Sequence, residues 1–381
     1  MKKRLLSVLL AAGMIASLLV GCTTETVDNS SGNTVTEVVE NSGSGSTDAG
    51  TTATAGGQKV GVSMPTKTLQ RWNQDGDNMK KQLEAAGYEV DLEYAADDVN
   101  TQISQIQNMI ADGCSVLVIA AINGESLGTV LAEAQANNIP VIAYDRLIMN
   151  SDAVTYYATF DNYMVGQKQG QYIEEKLGLK DGKSGFNIEI FAGDPGDNNA
   201  TFFYNGAMDV IKPYIDNGQV TVVSGAVEFE KVATEGWKTE KAQARMDDIL
   251  ASFYGDGTKL DAVLCSNDST AQGVTNALIA GYKGDYPIIT GQDCDIVSVK
   301  NMIAGKQAMS IFKDTRDLAA KTVEMVDAIL KGGEAPVNNE ETYNNGVKIV
   351  PSYLCEPVFA DINNYKELLI DSGYYTEADL E

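Results

Sequence analysis

From Lys59 onward, short apolar runs of β-forming residues alternate with longer amphipathic stretches, and no other feature of the chain restricts its fold as much. Strands that alternate with helices run parallel, because each helix carries the chain back across a face of the sheet before the next strand starts. The spacing predicts strands at 59–64, 88–94, 116–121, from 141 to 143 and at 156–160. Helices are expected at 70–86, at 126–137, and through Ile103, Ile106, Met109 and Ile110 up to Gly113. The plan then repeats. Strands are expected at 186–191, 220–223, 262–265, 288–290 and 309–312, with helices at 199–216, 239–253, 269–281, 295–304 and 315–331. The fold class is therefore α/β: two doubly wound parallel-sheet lobes. The helix from Thr315 and a strand at 347–358 follow after the second lobe should be complete, so the chain is expected to cross between lobes more than once, forming a hinge over a cleft. The expected division is 58–161 plus 314–343 for the N-terminal lobe and 162–313 plus 344–381 for the C-terminal lobe.

The first residues belong to targeting rather than to the fold. Lys2, Lys3 and Arg4 precede an apolar run from Leu5 to Val20 that closes with Leu19-Val20-Gly21-Cys22, and this resembles a bacterial lipoprotein signal with its lipobox. That resemblance implies cleavage after residue 21, lipid on Cys22, and attachment to a membrane surface outside the cytoplasm. A membrane-spanning anchor is the competing reading, but the run is short and ends at a small-residue cleavage site. Residues 22–57 are rich in Thr, Ser, Gly, Asn and acids and cannot bury enough apolar surface to order themselves, so a flexible tether is expected.

Charge and chemistry narrow the function. With 53 acids against 28 bases the formal charge is −25, the wrong sign for nucleic acid. The chain has no histidine, which removes His-based triads, general bases and metal sites. No calcium loop, Walker motif or dinucleotide fingerprint is present, and no cofactor or metal is expected. Cys114, Cys265, Cys294 and Cys355 lie in or beside apolar runs and read as buried hydrophobes, although a Cys265–Cys294 bridge is open to the chain if their strands are neighbours.

In an open α/β sheet, ligands sit beyond the carboxyl ends of the strands. Collected there are Lys67, Arg71 and Trp72 after the first strand, Asn123 after the third, and Asp145 and Arg146 after Val141–Tyr144. The second lobe adds Asp197, Asn198 and Asn199, then Trp237, Asn267, Asp268, Gln292, Asp293 and Lys313. Amides, carboxylates, cations and two tryptophans suit a sugar, whose hydroxyls donate and accept while its C–H faces lie on aromatic rings. Individual members have plainer readings: Asp145 and Arg146 as a surface pair, Asn267-Asp268 as a helix cap, Trp237 as interlobe packing, Lys313 as a snorkelling lysine, and Asp97-Asp98 as a solvated cap.

Longer motifs carry a resemblance. They are Val-Gly-Val-Ser-Met-Pro-Thr-Lys (60–67), Arg71-Trp72, Gln-Ile-Gln-Asn-Met (105–109), Val-Ile-Ala-Tyr-Asp-Arg-Leu-Ile (141–148) and Tyr-Tyr-Ala-Thr-Phe-Asp-Asn (156–162). Asp197-Asn198-Asn199-Ala200, Ser266-Asn267-Asp268, Gly291-Gln292-Asp293 and Ile311-Phe312-Lys313-Asp314-Thr315-Arg316 complete the set. From about residue 59 to its end the chain resembles periplasmic sugar-binding proteins of the ribose/xylose class, the substrate-binding lipoproteins of ABC transporters, and most of all their multiple-monosaccharide-binding members. The resemblance implies a type I periplasmic binding protein fold, in which a monomeric receptor closes on an aldose such as xylose, glucose, galactose or arabinose and presents it to an ABC permease. It also implies that Trp72 and Trp237 flank the sugar, and that Asp145, Arg146, Asn267, Asp268, Gln292 and Asp293 contact it. Ser266-Asn267 is closer to the xylose-binding relatives. A sugar sensor docking on a chemoreceptor or sensor kinase is the alternative. An enzyme such as a glycosidase is disfavoured, because the clustered cations and amides would keep the acids ionised. A sugar-responsive repressor lacks its basic DNA-binding segment here.

Overall fold

The computed structural model describes residues 57–381. The expected signal peptide, the lipidation at Cys22 and all but the end of the expected tether lie outside the described residues.

The first half runs β1 (Lys59–Met64), α1 (Gln70–Ala85), β2 (Glu89–Tyr94), α2 (Val99–Ala111), β3 (Val116–Ile119), α3 (Gly128–Ala136), β4 (Val141–Tyr144) and β5 (Val154–Phe160). The second runs α4 (Asn162–Leu177), β6 (Phe186–Phe191), α5 (Asn198–Asp216), β7 (Val220–Val222), α6 (Phe229–Val232), α7 (Thr239–Phe253), β8 (Ala262–Cys265), α8 (Asp268–Gly281), β9 (Ile288–Ile289), α9 (Ile296–Ile303) and β10 (Met309–Phe312). Then come α10 (Thr315–Leu330), β11 (Ser352–Cys355) and β12 (Val358–Asp361).

The first sheet has the order β11-β5-β4-β3-β1-β2, with every pair parallel. Side chains alternate across its faces. Val116 and Val118 of β3 pack under Met79 and Leu83 of α1 and Leu318 and Met325 of α10, while Leu117 and Ile119 pack against Ile106 of α2 and Leu131 of α3. Both faces are covered, which is why β3 reads as an unbroken apolar run. In the second sheet, β7-β6-β8-β9 is parallel. A bridge from Gln292 to Ile311 sets β10 beside the continuation of β9, and β12 closes the edge antiparallel to β10.

The chain passes between the sheets three times: at Asp161 from β5 to α4, at Lys313 and Asp314 from β10 to α10, and at Glu356 and Pro357 from β11 to β12. The last crossing corrects the expected strand at 347–358. Pro357 has no N–H to give a ladder, so the run breaks in two. Ser352–Cys355 pairs parallel with β5, and Val358–Asp361 pairs with β10. Residues 344–355 therefore stay with the first sheet, where the Asn345 amide donates to the Ile148 and Ser151 carbonyls at 3.2 and 2.7 Å. Asp98 caps α2 through the Thr101 N–H at 2.6 Å. All four described cysteines are free thiols, so the Cys265–Cys294 bridge is not formed.

Candidate functional site

The carboxyl ends of both sheets face one small cavity with about 30 Å³ of free space. Eleven of the residues expected from sequence line it: Arg71, Trp72, Asp145, Arg146, Asp197, Asn199, Trp237, Asn267, Gln292, Asp293 and Lys313. Leu69, Phe203, Ser269 and Asp295 join them.

Arg71 is the centre of the charged wall. It sits in the first turn of α1, which starts where the chain returns from β1 to the cleft. Its Nε donates to Asp75 one turn later at 2.8 Å, its Nη2 lies 2.9 Å from Asp145, and its Nη1 reaches Asp293 of the second lobe at 3.5 Å. Asp75 is fully buried and also accepts the Tyr144 hydroxyl at 2.6 Å. Burial works against the Arg71 guanidinium, but Asp145, Asp75 and Asp293 outweigh it and hold its pKa well above the ordinary value. Burial likewise disfavours ionised Asp145, yet Arg71, Lys313 and Arg146 prevail and keep that carboxyl below the usual range. At Asp75 burial wins over Arg71, and the pKa rises. Burial also lifts Asp197 despite Arg146.

Three site residues have left-handed backbones: Asp145 at φ 59°, Trp237 at φ 57° and Asp293 at φ 98°. Non-glycine residues rarely hold such angles unless their surroundings impose them. At Asp145 the imposition is visible. Its carbonyl accepts the Tyr157 hydroxyl at 2.7 Å, the Thr159 hydroxyl at 3.0 Å and the Asn199 amide at 2.5 Å, and its N–H donates to the Ala158 carbonyl. The Asn199 contact joins the lobes, as do Arg146 Nε with Asp197 at 3.1 Å and the Gly124 N–H donating to the Gly196 carbonyl at 3.2 Å. The cleft is closed in this structure.

Arg146 is largely committed to the protein, since its Nη1 also donates to the Ala121 and Ile122 carbonyls at the end of β3. Lys313 is buried and pairs with Asp293 at 2.9 Å, so it is not a snorkelling surface lysine. The guanidinium carbons of Arg71 and Arg146 stand 4.8 and 5.0 Å from the Trp72 ring centroid. The Trp237 ring lies on Gly193, where a Cβ would come within 1.9 Å of it, and meets Phe203 edge-on. Trp237 is thus both packing and cavity wall. Asn267 is likewise double: it caps α8 through the Thr270 N–H at 3.0 Å and lines the cavity.

Four expected residues lie elsewhere. Lys67 leaves the cleft after the turn at Pro65, and its ammonium stands 4.6 Å over the Tyr94 ring. Asn123 bonds within its own loop, accepting from the Glu125 N–H and Ser126 hydroxyl, and borders a second hollow shared with Arg146 and Trp237. Asn198 is half-buried, because consecutive helical residues point about 100° apart and Asn199 takes the inward direction. Asp268 lies behind the wall, accepting from Gln307, Ser310 and the Asp295 N–H, and so supports the loop that carries Asp293 and Asp295. Burial, then Asp295 and Asp293, push its pKa well up.

Of the residues missed, Phe203 stands four after Asn199, one turn along α5 on the same face, which was a legible signal. Asp295 sits two residues beyond Asp293, where β9 is too short for a strand-end rule to reach. Several cavity atoms are buried with no partner in the protein: Trp72 Nε1, Trp237 Nε1, Gln292 Oε1 and Asp295 Oδ1. Buried polar groups are almost always bonded, so a ligand carrying both donors and acceptors fits this wall.

A family model described as periplasmic binding protein domain matches residues 60–334. The chain is 54% identical over 323 residues to the multiple sugar-binding periplasmic protein SbpA of Azospirillum brasilense, covering 84% of this chain and 90% of that protein. It is 53% identical over 322 residues to the multiple sugar-binding periplasmic receptor ChvE of Rhizobium radiobacter, covering 83% and 90%. Among solved structures, an ABC transporter solute binding protein from Clostridium phytofermentans with bound β-D-glucose is 73% identical. That match covers 85% of this chain and 100% of that one, with a TM-score of 0.84.

Proposed function

Because the chain belongs to the periplasmic binding protein family, we propose that it is an extracytoplasmic receptor for a monosaccharide, an aldose such as glucose, galactose, xylose or arabinose, which it delivers to an ABC permease. The observation that carries this reading is the cavity walled by both lobes with paired charges, unpartnered donors and acceptors, and two tryptophans. A sugar hydroxyl both donates and accepts, so one ring serves Asp145 and Asn267 as well as the indole N–H groups. The receptor works by population shift. Sugar touching both walls favours the closed form, in which Arg71 meets Asp293 and Arg146 meets Asp197. No bond is made or broken, and the relatives are named as a sugar-binding protein and a sugar-binding receptor rather than as enzymes.

Thermal unfolding tests this. A ligand bound only by the native state adds about 2.7 kcal/mol at 100 times its Kd, so at least one of the four aldoses is expected to raise the unfolding temperature by several degrees. No shift with any of them would reject the reading.

Lipid anchoring through Cys22 is a separate proposal, supported by Leu19-Val20-Gly21-Cys22 alone. Among the described residues no helix is long and apolar enough to cross a membrane. Mass spectrometry of the mature amino-terminal peptide is expected to find a diacylglyceryl group on Cys22, and a peptide beginning at an unmodified residue would rule the anchor out.

A further inference from the structure

We infer that the cavity also takes an aminosugar, an aldose ring carrying one protonated amine, with Asp295 and Gln292 as the groups that receive it; this rests on the monosaccharide reading and deepens it. Four carboxylates line the cavity, and three of them have a cation of their own. Asp145 pairs with Arg71 at 2.9 Å, Asp197 with Arg146 at 3.1 Å, and Asp293 with Lys313 at 2.9 Å. Asp295 has none, and its Oδ1 is sealed from solvent without a hydrogen-bond partner. Gln292 is 1% exposed, and its amide nitrogen donates to the Ser266 carbonyl at 2.7 Å. Its Oε1 is left buried and unpartnered as well.

Both atoms can only accept while Asp295 is ionised. A hydroxyl satisfies one acceptor and leaves the charge uncompensated, whereas an ammonium group offers three donors and the missing positive charge. A metal ion is a poorer match. Among the described residues no group of three or more acids or thiols could hold one.

The surroundings of Asp295 fit the exchange. Asp268 at the start of α8 accepts the Asp295 N–H at 2.9 Å, Asp293 precedes it in the loop, and Arg71 of α1 and Lys313 after β10 face it from farther away. Burial and then Asp293 push its pKa up to about 7, against Arg71 and Lys313. Below that pH the unliganded site holds a proton on Asp295. An entering ammonium replaces that proton, which leaves to solvent as the carboxylate and the ammonium pair.

The test is titration calorimetry of the mature chain at about pH 6, where the amine is protonated. Glucose, galactose, glucosamine and galactosamine are compared in two buffers of different ionisation heat, for the wild type and Asp295→Asn. The expected result is an aminosugar bound within about tenfold of the best neutral aldose, with a buffer-dependent heat that the neutral aldoses lack. In Asp295→Asn the ratio of aminosugar to aldose affinity falls about tenfold or more. Binding of an aldose with both aminosugars weaker by about a hundredfold would overturn the inference while leaving the monosaccharide receptor standing. So would an aminosugar-to-aldose affinity ratio unchanged in Asp295→Asn, with aldose binding by the variant showing that it folds. Failure of all four sugars would overturn both.

Discussion

Replacing Arg71 with alanine is expected to destabilise the protein by about 3–5 kcal/mol at neutral pH, the usual cost of leaving a buried charge uncompensated, and to abolish sugar binding. The guanidinium stands among Asp75, Asp145 and Asp293, within 3.5 Å of each. Without it Asp145 loses the largest influence opposing its burial, and Asp75, already raised, rises further. Carboxyls whose folded pKa exceeds the unfolded value bind more protons when folded. Between those two values stability then falls as pH rises, and below the unfolded value the effect is absent. The deficit against wild type should therefore be large at about pH 7 and shrink toward about pH 4. Urea unfolding of both proteins at the two pH values reads this directly. A variant as stable as wild type at neutral pH would mean that the three carboxylates do not depend on Arg71.

The second large effect is expected at Asp145. Asp145→Ala should weaken aldose binding by roughly 10- to 150-fold, corresponding to a hydrogen bond to a charged group worth about 1.5–3 kcal/mol. Alanine at φ 59° is also strained, so Asp145→Asn is the cleaner companion, since asparagine tolerates that angle and the carbonyl keeps its bonds from Tyr157, Thr159 and Asn199. In the wild type the folded pKa of Asp145 is depressed. The stability it contributes is present above the unfolded carboxylate value and is lost as pH falls through the folded one. The stability gap between wild type and Asp145→Asn should accordingly close in acid. Affinity within threefold of wild type in both variants would exclude Asp145 from sugar contact.

Most of the architecture was legible because a doubly wound sheet writes itself into sequence as apolar runs separated by amphipathic helices. Val116–Ile119 is apolar at every position, and both faces of β3 are covered. The third crossing is marked in the sequence only by Glu356 and Pro357, two residues between the apolar runs of β11 and β12, and the expected strand at 347–358 runs through them. At the site, the strand-end rule found Arg71, Asp145, Asn199, Gln292 and Lys313, because the fold delivers the first residues past each strand to the cleft. It failed for Lys67, which the turn at Pro65 carries outward, and for Asp268, which faces back toward Gln307 and Ser310. It also failed for Phe203, which enters from the second turn of a helix. Direction within a loop depends on backbone angles such as those of Asp145 and Asp293, and three-dimensional contacts set those.

The most direct test of a monosaccharide receptor is titration calorimetry of the mature chain with glucose, galactose, xylose and arabinose at neutral pH and moderate salt. A few charged hydrogen bonds with stacking predict one site per chain and a Kd of about micromolar or tighter for at least one of these sugars. Binding to none of them at millimolar concentration would contradict it.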